Sequence, residues 1–562
     1  MRQLQRLNQY LRLWQLREGA SQSTSVAAMA QACICSERHM RTLLSRWQQF
    51  GWAEWQAAAG RGKRGTLLFY HHPEALRAEL LREELDRGQA QNALALAQVD
   101  PTKLEKLLSP LMGGQWLNNR PTLRIPYYRA LGTLDPLTLS GRAEQQLASQ
   151  LHAGLTRFVN NRAVPDMAHH WQQSADGLTW HFYLRPQLHW HNGESIDGGQ
   201  LLARLQAILQ SLTGQRLLDC VSEVSLPHAL CLRFQLRCPD NWLAHRLASV
   251  PCFMAHPTQP QVGAGPFRLT SFSDALVRLE SHSQYHLRHP LVETVEYWIT
   301  PGLFDRTLGT SCRHPVQIAI GNEYELNALR PVERSISLGF CYMALRHHTG
   351  FSAAQARSLL RVLTEARLIE HLPLEEGLIT PTHAMLPGWP VPPLEGEEAP
   401  LPPALKLHYH LPVELHAMAE ALREALAARG CQLEVYFHPE KNWLNHTGLG
   451  EADIIMGDRL IGEAPEFTLE SWLRLDPLWP AVLGDAGWQQ LLLTLQRIQR
   501  HENEGRRCDE LSQALQKLMA AAIVTPLFNY RYQVSAPPGV QGIHLNAWGW
   551  FDFTRAWIPP PT

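Results

Sequence analysis

A chain of 562 residues is too long for one ordinary domain, and with 51 lysines and arginines against 52 aspartates and glutamates it is close to neutral overall. It has no run of eighteen apolar residues, its opening MRQLQRLNQYLRLWQ is too polar for a secretory leader, and its 10 cysteines form neither a CxxC pair nor a regular framework. A transmembrane helix, an exported precursor, a disulfide scaffold and a zinc site are set aside, and the expectation is a cytoplasmic protein of about two to four domains with reduced thiols.

In chain order, Arg2 to Arg17 reads as a first helix with Leu4, Leu7, Leu11 and Trp14 along one side. Ser25 opens a short second helix, VAAMAQAC, whose small residues permit close packing. In CSERHMRTLLSRWQQ, Ser36 is an N-cap candidate, and Met40, Leu43, Leu44 and Trp47 recur at the spacing of one buried helical face. The opposite face carries Arg38, Thr42, Ser45 and Gln49, flanked by His39, Arg41 and Arg46. Arginine bonds guanine edges bidentately, and serine and threonine supply shorter contacts, so Arg38, Arg41, Thr42 and Ser45 are the base-reading candidates. After Phe50-Gly51, Trp52 to Gln56 alternates bulky and small residues, Gly60-Arg61-Gly62-Lys63-Arg64-Gly65 turns, and Thr66 to Tyr70 returns, a two-stranded wing. Arg46, Arg61, Lys63 and Arg64 are the candidates for the DNA backbone. Ten cations within residues 1–70 face only Glu18, Glu37 and Glu54, so positive charge is concentrated there. A nucleotide loop is set aside, because a Walker motif needs Ser or Thr after its Gly-Lys and then a helix, whereas here Arg64 and a strand follow.

Residues 73 to 110, rich in Leu, Ala, Glu and Arg, read as two or three connecting helices. Near Pro121 the character changes: Thr122 to Tyr128 is a strand candidate, and beyond it strands such as Cys231 to Leu236 and Leu405 to Tyr409 mix with helices such as Pro412 to Arg429. Trp180, Phe182 and Leu184 alternate as one strand face. Pro387 to Pro403 reads as a proline-rich surface excursion.

The segment from Gly154-Leu155-Thr156-Arg157 through PDMAHHWQQSADGLTWHFYLRPQLHWHNGESIDGG resembles the signature of the peptide- and nickel-binding class of solute-binding proteins. Gly263 to Phe267 resembles that family's Gly-Thr-Gly-Pro-aromatic element, and Pro526-Leu527-Phe528 with Tyr530 resembles the element that returns the chain to the first lobe. With RLWQ, CSERHMRTLL and GRGKRG in the first part, the layout resembles the SgrR family of bacterial transcriptional regulators, and RIPYY and MGDRLIGEAPE bring it nearer to the YbaE-type members. The resemblance implies an α/β fold class: an N-terminal winged helix-turn-helix plus a two-lobed, periplasmic-binding-protein-like clamp of solute-binding family 5, type II. Residues 1–70 are then the DNA-binding part, 71–120 a helical connector, and 121–562 the clamp. The clamp's first lobe spans roughly 121–310 and 526–562, and its second roughly 311–525.

The function implied is a DNA-binding transcriptional regulator sensing a small cytoplasmic ligand. The alternative is a cytosolic solute- or peptide-binding protein whose basic N-terminus contacts RNA or a protein partner. Partners expected are double-stranded promoter DNA and an unidentified solute, whether a sugar, a sugar phosphate or a short peptide; no membrane is expected, and a homodimer is left open. Peptide-binding relatives hold the ligand's amino terminus with an aspartate after a buried strand and a Gly-Trp; Asp458 stands here where Trp is expected, with Arg459 and Glu463 as further ligand candidates. His169, His170, His181, His189 and His191 suggest a metal, but adjacent histidines on a strand point to opposite faces, so no metal is expected. No cofactor and no catalytic residue is expected either, since the chain has no Gly-x-Ser-x-Gly elbow, His-Glu-x-x-His or dinucleotide fingerprint.

Overall fold

The computed structural model describes residues 2–16, 19–57, 64–86, 92, 93, 96, 108, 111–139, 141–301, 331–374, 378–410, 412, 414–438, 443, 447–535, 540–543 and 552–561. At the amino terminus, helix α1 (Arg2–Gln15) buries Leu7, Tyr10 and Leu13, with Leu4 and Trp14 half-buried beside them. The stripe runs through Tyr10 and Leu13 and leaves the expected Leu11 only half-buried, because the Tyr10 hydroxyl donates to the carbonyls of Trp52 (3.0 Å) and His71 (2.7 Å). Strand β1 (Gln22–Thr24) precedes α2 (Val26–Ala32) and α3 (Glu37–Gln49), each capped by the serine expected. The Ser25 and Ser36 hydroxyls accept from the amides of Ala28 and His39, both at 3.2 Å. Strands β2 (Ala53–Gln56) and β3 (Gly65–Phe69) form the expected hairpin, and β1, which the sequence pattern did not reveal, pairs with β3 to complete an antiparallel sheet of order β1-β3-β2. Helix, strand, helix, helix and two strands is the chain order of a winged helix.

Helix α4 (Pro73–Asp86) serves two cores. Leu76 and Leu80 close the one formed by Tyr10, Met40, Leu44 and Trp47, while Leu81 packs in a separate cluster with Met112, Leu276 and Trp298. The further connecting helices expected before residue 110 fall mostly outside the described residues.

Three larger sheets follow. Strands β4 (Gly113–Leu117) and β5 (Arg120–Tyr127) join β12 (Phe267–Phe272), β13 (Leu276–Ser281) and β14 (Thr294–Ile299) in the order β12-β13-β14-β5-β4, with β14 and β5 parallel. Helix α5 (Arg142–Leu151) packs on this sheet. A hairpin of β6 (Thr156–Val159) and β7 (Arg162–Pro165) leads into a four-stranded sheet. That sheet comprises β8 (Ala168–Gln173), β9 (Thr179–Leu184), β10 (Val221–His228) and β11 (Cys231–Leu236) in the order β10-β11-β9-β8. Trp180, Phe182 and Leu184 of β9 face its core as their alternation requires, against helices α6 (Gly198–Gln210), α7 (Leu212–Leu217) and α8 (Leu243–Leu247).

The six-stranded sheet takes β15 (Pro331–Leu345), β16 (Ile379–Pro381), β17 (Ala404–His410), β18 (Gln432–His438), β19 (Ile454–Arg459) and β20 (Val524–Ser535), ordered β16-β20-β15-β19-β17-β18. One face is covered by α9 (Ala353–Glu365) and α10 (Glu414–Ala427). The other is covered by α11 (Pro465–Leu475), α12 (Leu478–Ile498, kinked at Gly484) and α13 (Glu504–Ala520). Strand β20 stays paired with β15 to Ser535, and the chain rejoins the core of the five-stranded sheet at Val540, Ile543, Phe553 and Ile558, later than the return expected at 526.

Candidate functional site

Helix α3 is held from below. Met40, Leu43, Leu44 and Trp47 are buried, and the Tyr10 ring meets the Trp47 ring edge-on at 5.5 Å. The opposite face is open, and Arg38, Arg41, Thr42, Ser45 and Arg46 are all exposed as expected. Three of them have partners on the helix itself: Arg41 donates to Glu37 (3.1 Å), the Thr42 hydroxyl to the Arg38 carbonyl (3.1 Å), and Arg46 to Gln49 (3.0 Å). Such exposed pairs are worth about 0–1 kcal/mol, so an incoming phosphate or base edge displaces them at small cost. The side chains of Arg38 and Ser45 make no hydrogen bond among the described residues, and Glu37 is the only acid on the helix. Arg64 is exposed at the start of the returning strand, while Arg61 and Lys63 lie outside the described residues.

A second constellation joins the four-stranded to the six-stranded sheet. From α8, Arg246 donates to Asp240 (2.7 Å), to both carboxylate oxygens of Glu470 (2.9 and 3.0 Å) and to the Gln499 carbonyl oxygen (3.2 Å). From α11, Arg474 donates to Glu470 (2.9 and 2.6 Å), to Gln499 (2.9 Å) and to Asp219 (2.8 Å). Arg246 and Glu470 are 0 % exposed and Arg474 1 %. Burial alone would push the Glu470 carboxyl up, but the two guanidiniums outweigh it and hold it at about 2. Beside this network Trp242, Ala464, Phe467 and Phe158 form an apolar contact, and the Arg507 guanidinium lies 4.5 Å above the Trp242 ring. Sequence reasoning did not find these residues: Arg246 and Glu470 are 224 positions apart, and neither sits in a motif.

The predicted ligand residues do not converge on one place. Asp458 and Arg459 end β19, where the guanidinium of Arg459 lies within electrostatic reach of Asp476 and its Nε has no hydrogen-bond partner among the described residues. Glu463 instead stands just before α11, and its Oε2 is buried without a hydrogen-bond partner among the described residues. Burial and the neighbouring Asp552 push the Glu463 carboxyl up, against the pull of Arg157 and Arg555. The next residue, Ala464, takes a left-handed conformation at φ 56° and donates its amide to the Asn161 side chain at 3.1 Å. Arg157, Asn161, Glu463, Asp552 and Arg555 thus bring charged and polar groups from three separate stretches of chain to the edge of the junction.

Of the five histidines, His169 and His189 line one hollow of the first lobe and His169 and His181 an adjoining one, while His191 packs inward. His191 bonds the Gly265 carbonyl oxygen at 3.1 Å, and burial pushes it down to about 3, the behaviour of a packed neutral imidazole. Among the described residues no group of three or more histidine, cysteine or acidic side chains is placed to hold a metal ion. None of the described helices is long and apolar enough to cross a membrane.

Comparison with known proteins gives this geometry a setting. Residues 5–119 match the family model "Sugar transport-related sRNA regulator N-term", and residues 162–306 match "Bacterial extracellular solute-binding proteins, family 5 Middle". Among solved structures, the fold resembles a dipeptide binding protein from Pseudoalteromonas sp. SM9913 in complex with Met-Leu. The TM-score is 0.63 at 14% identity, over 78% of this chain and 100% of that one. It also resembles NikA from Brucella suis in complex with Fe(III)-EDTA, with a TM-score of 0.62 at 16% identity over 78% and 100%. The class is a family 5 solute-binding fold that carries an SgrR-type N-terminal module. Across its whole length the chain is 53% identical to YbaE of Escherichia coli (strain K12), covering 100% of both. It is 29% identical to the HTH-type transcriptional regulator SgrR of Yersinia pestis (strain Pestoides F), covering 98% of both. The chain belongs to the SgrR family, and within it resembles YbaE.

Proposed function

We propose that the chain is a cytoplasmic, DNA-binding transcriptional regulator in which residues 1–70 bind promoter DNA, 71–120 connect, and the clamp of residues 121–562 senses a small solute. The observation that carries the reading is the exposed face of α3, where Arg38, Arg41, Thr42, Ser45 and Arg46 lie opposite a fully buried stripe. The regulators named among the relatives support it. Arg38, Arg41, Thr42 and Ser45 read bases, and Arg46, Arg61, Lys63 and Arg64 hold the DNA backbone. Arg38→Ala is expected to cost about 1–3 kcal/mol at the cognate operator and much less on random duplex. Fluorescence anisotropy of the full chain on both DNAs checks this; equal losses on the two would leave Arg38 as an electrostatic contact only. For Arg64→Ala the expectation is a general weakening, with the slope of log affinity against log salt shallower by about one unit. An unchanged slope removes the strand start from the phosphate interface.

The solute is taken at the junction edge, where Glu463 with Arg157, Asp552 and Arg555 offers charged groups to a polar ligand, with Asp458 and Arg459 as further ligand candidates at the end of β19. A solute preferring one lobe arrangement tenfold shifts DNA affinity by only about 1.4 kcal/mol, so switching is modest unless that preference is larger.

A further inference from the structure

The first lobe carries a further group of polar side chains, whose Tyr285 stands within electrostatic reach of Arg157 and Asp552 at the junction edge. A cavity of about 510 Å³ is lined by Arg185, Gln187, His189, Gln284, Tyr285 and His286, among others, with no acidic side chain in its wall. Arg185 and His286 of its wall are positioned from behind. The Asp166 backbone carbonyl accepts from Arg185 Nε at 2.7 Å, and its carboxylate takes His286 Nε2 at 2.7 Å and the Gly154 amide at 3.3 Å. Asp166 is buried, so one residue fixes both a guanidinium and an imidazole, and the Arg185 Nη groups make no hydrogen bond among the described residues. Gln187 sits at φ 58° between Pro186 and Leu188, a left-handed turn that glycine would occupy without strain.

Sharing His169 and Pro186 with this cavity is a second, of about 480 Å³, walled mainly by carbon from Tyr183, Leu184, Pro227 and Leu230. Leu230, in the turn between β10 and β11, is 41 % exposed. One hollow is cationic and polar, the next apolar, and each is of the size that takes a small molecule.

We propose that this double hollow binds a small organic oxyanion, its phosphate or carboxylate group held by Arg185 with His189 and His286, and its apolar body against Tyr183, Pro227 and Leu230. A guanidinium fork suits both oxyanions, and the apolar hollow sets an organic anion apart from an inorganic one. Titration calorimetry of the full chain with phenyl phosphate and with inorganic phosphate tests it. Phenyl phosphate is expected to bind at least about tenfold more tightly than inorganic phosphate, through burial of its ring. Arg185→Gln is expected to weaken phenyl phosphate at least about tenfold. Leu230→Ser should lower phenyl phosphate affinity while leaving inorganic phosphate unchanged. Because Arg185 also bonds a backbone carbonyl, His189→Gln is measured alongside, with a thermal melt for each variant; a several-fold loss with an unchanged melt supports the site. No heat with phenyl phosphate, equal affinity for the two anions, or binding indifferent to both Arg185→Gln and His189→Gln overturns it.

Discussion

Replacing Glu470 by alanine is expected to destabilise the fold by about 3–5 kcal/mol, because two buried guanidiniums lose the carboxylate they share. Arg246 is left with Asp240 and Gln499, Arg474 with Asp219 and Gln499, and neither is open to water. Chemical denaturation followed by tryptophan fluorescence reads the change directly, since Trp242 is buried beside the network. A midpoint equal to that of the parent protein would mean the guanidiniums are solvated and the lobes are not clasped there. The pH dependence has a definite sign. Glu470 is held at about 2 against an ordinary value of 4.5, so its contribution is fully present above about 4.5 and is lost as pH falls through about 2. Below pH 4.5 the parent protein should therefore lose stability more steeply than the Glu470→Ala variant does.

Trp47→Ala is expected to cost the amino-terminal unit about 3–5 kcal/mol. The side chain is 0 % exposed beneath α3 and touches the Tyr10 ring, which itself ties α1 to the carbonyls of Trp52 and His71. Such a loss takes most of the stability an ordinary small unit has, so operator binding should vanish on warming before the larger sheets melt. Trp47→Phe keeps a ring in the site and should lose much less. Calorimetry showing one unshifted transition for Trp47→Ala, with operator binding intact, would place the helix on a different support.

The parts of the fold readable from sequence are those governed by local rules. Ser25 and Ser36 cap helices because a hydroxyl can satisfy a free amide anywhere, and Trp180, Phe182 and Leu184 face a core because a strand alternates. The exposed face of α3 followed from its buried one by subtraction. What was not legible depends on distant partners. Tyr10 displaces Leu11 from the buried stripe only because two carbonyls, 42 and 61 positions on, wait for its hydroxyl. Strand β1 is three residues long and exists because β3 offers it an edge. Arg246, Glu470 and Arg474 look like surface charges until the fold brings them together, since an arginine pattern alone argues for exposure. Asp458, Arg459 and Glu463, chosen as neighbours after one strand, meet different partners, Arg459 facing Asp476 and Glu463 facing Asp552, Arg157 and Arg555.

Helix α4 has a mechanical meaning. Leu80 and Leu81 are consecutive, about 100° apart around the helix, and each is bolted into a different core. The helix therefore cannot roll on its axis without prising one of the two open, and it behaves as an axle keyed on two sides. A tilt of the larger body reaches α3 as rotation of the entire amino-terminal unit rather than as a change within it. Grafting this unit onto another body would succeed only if the axle travelled with it.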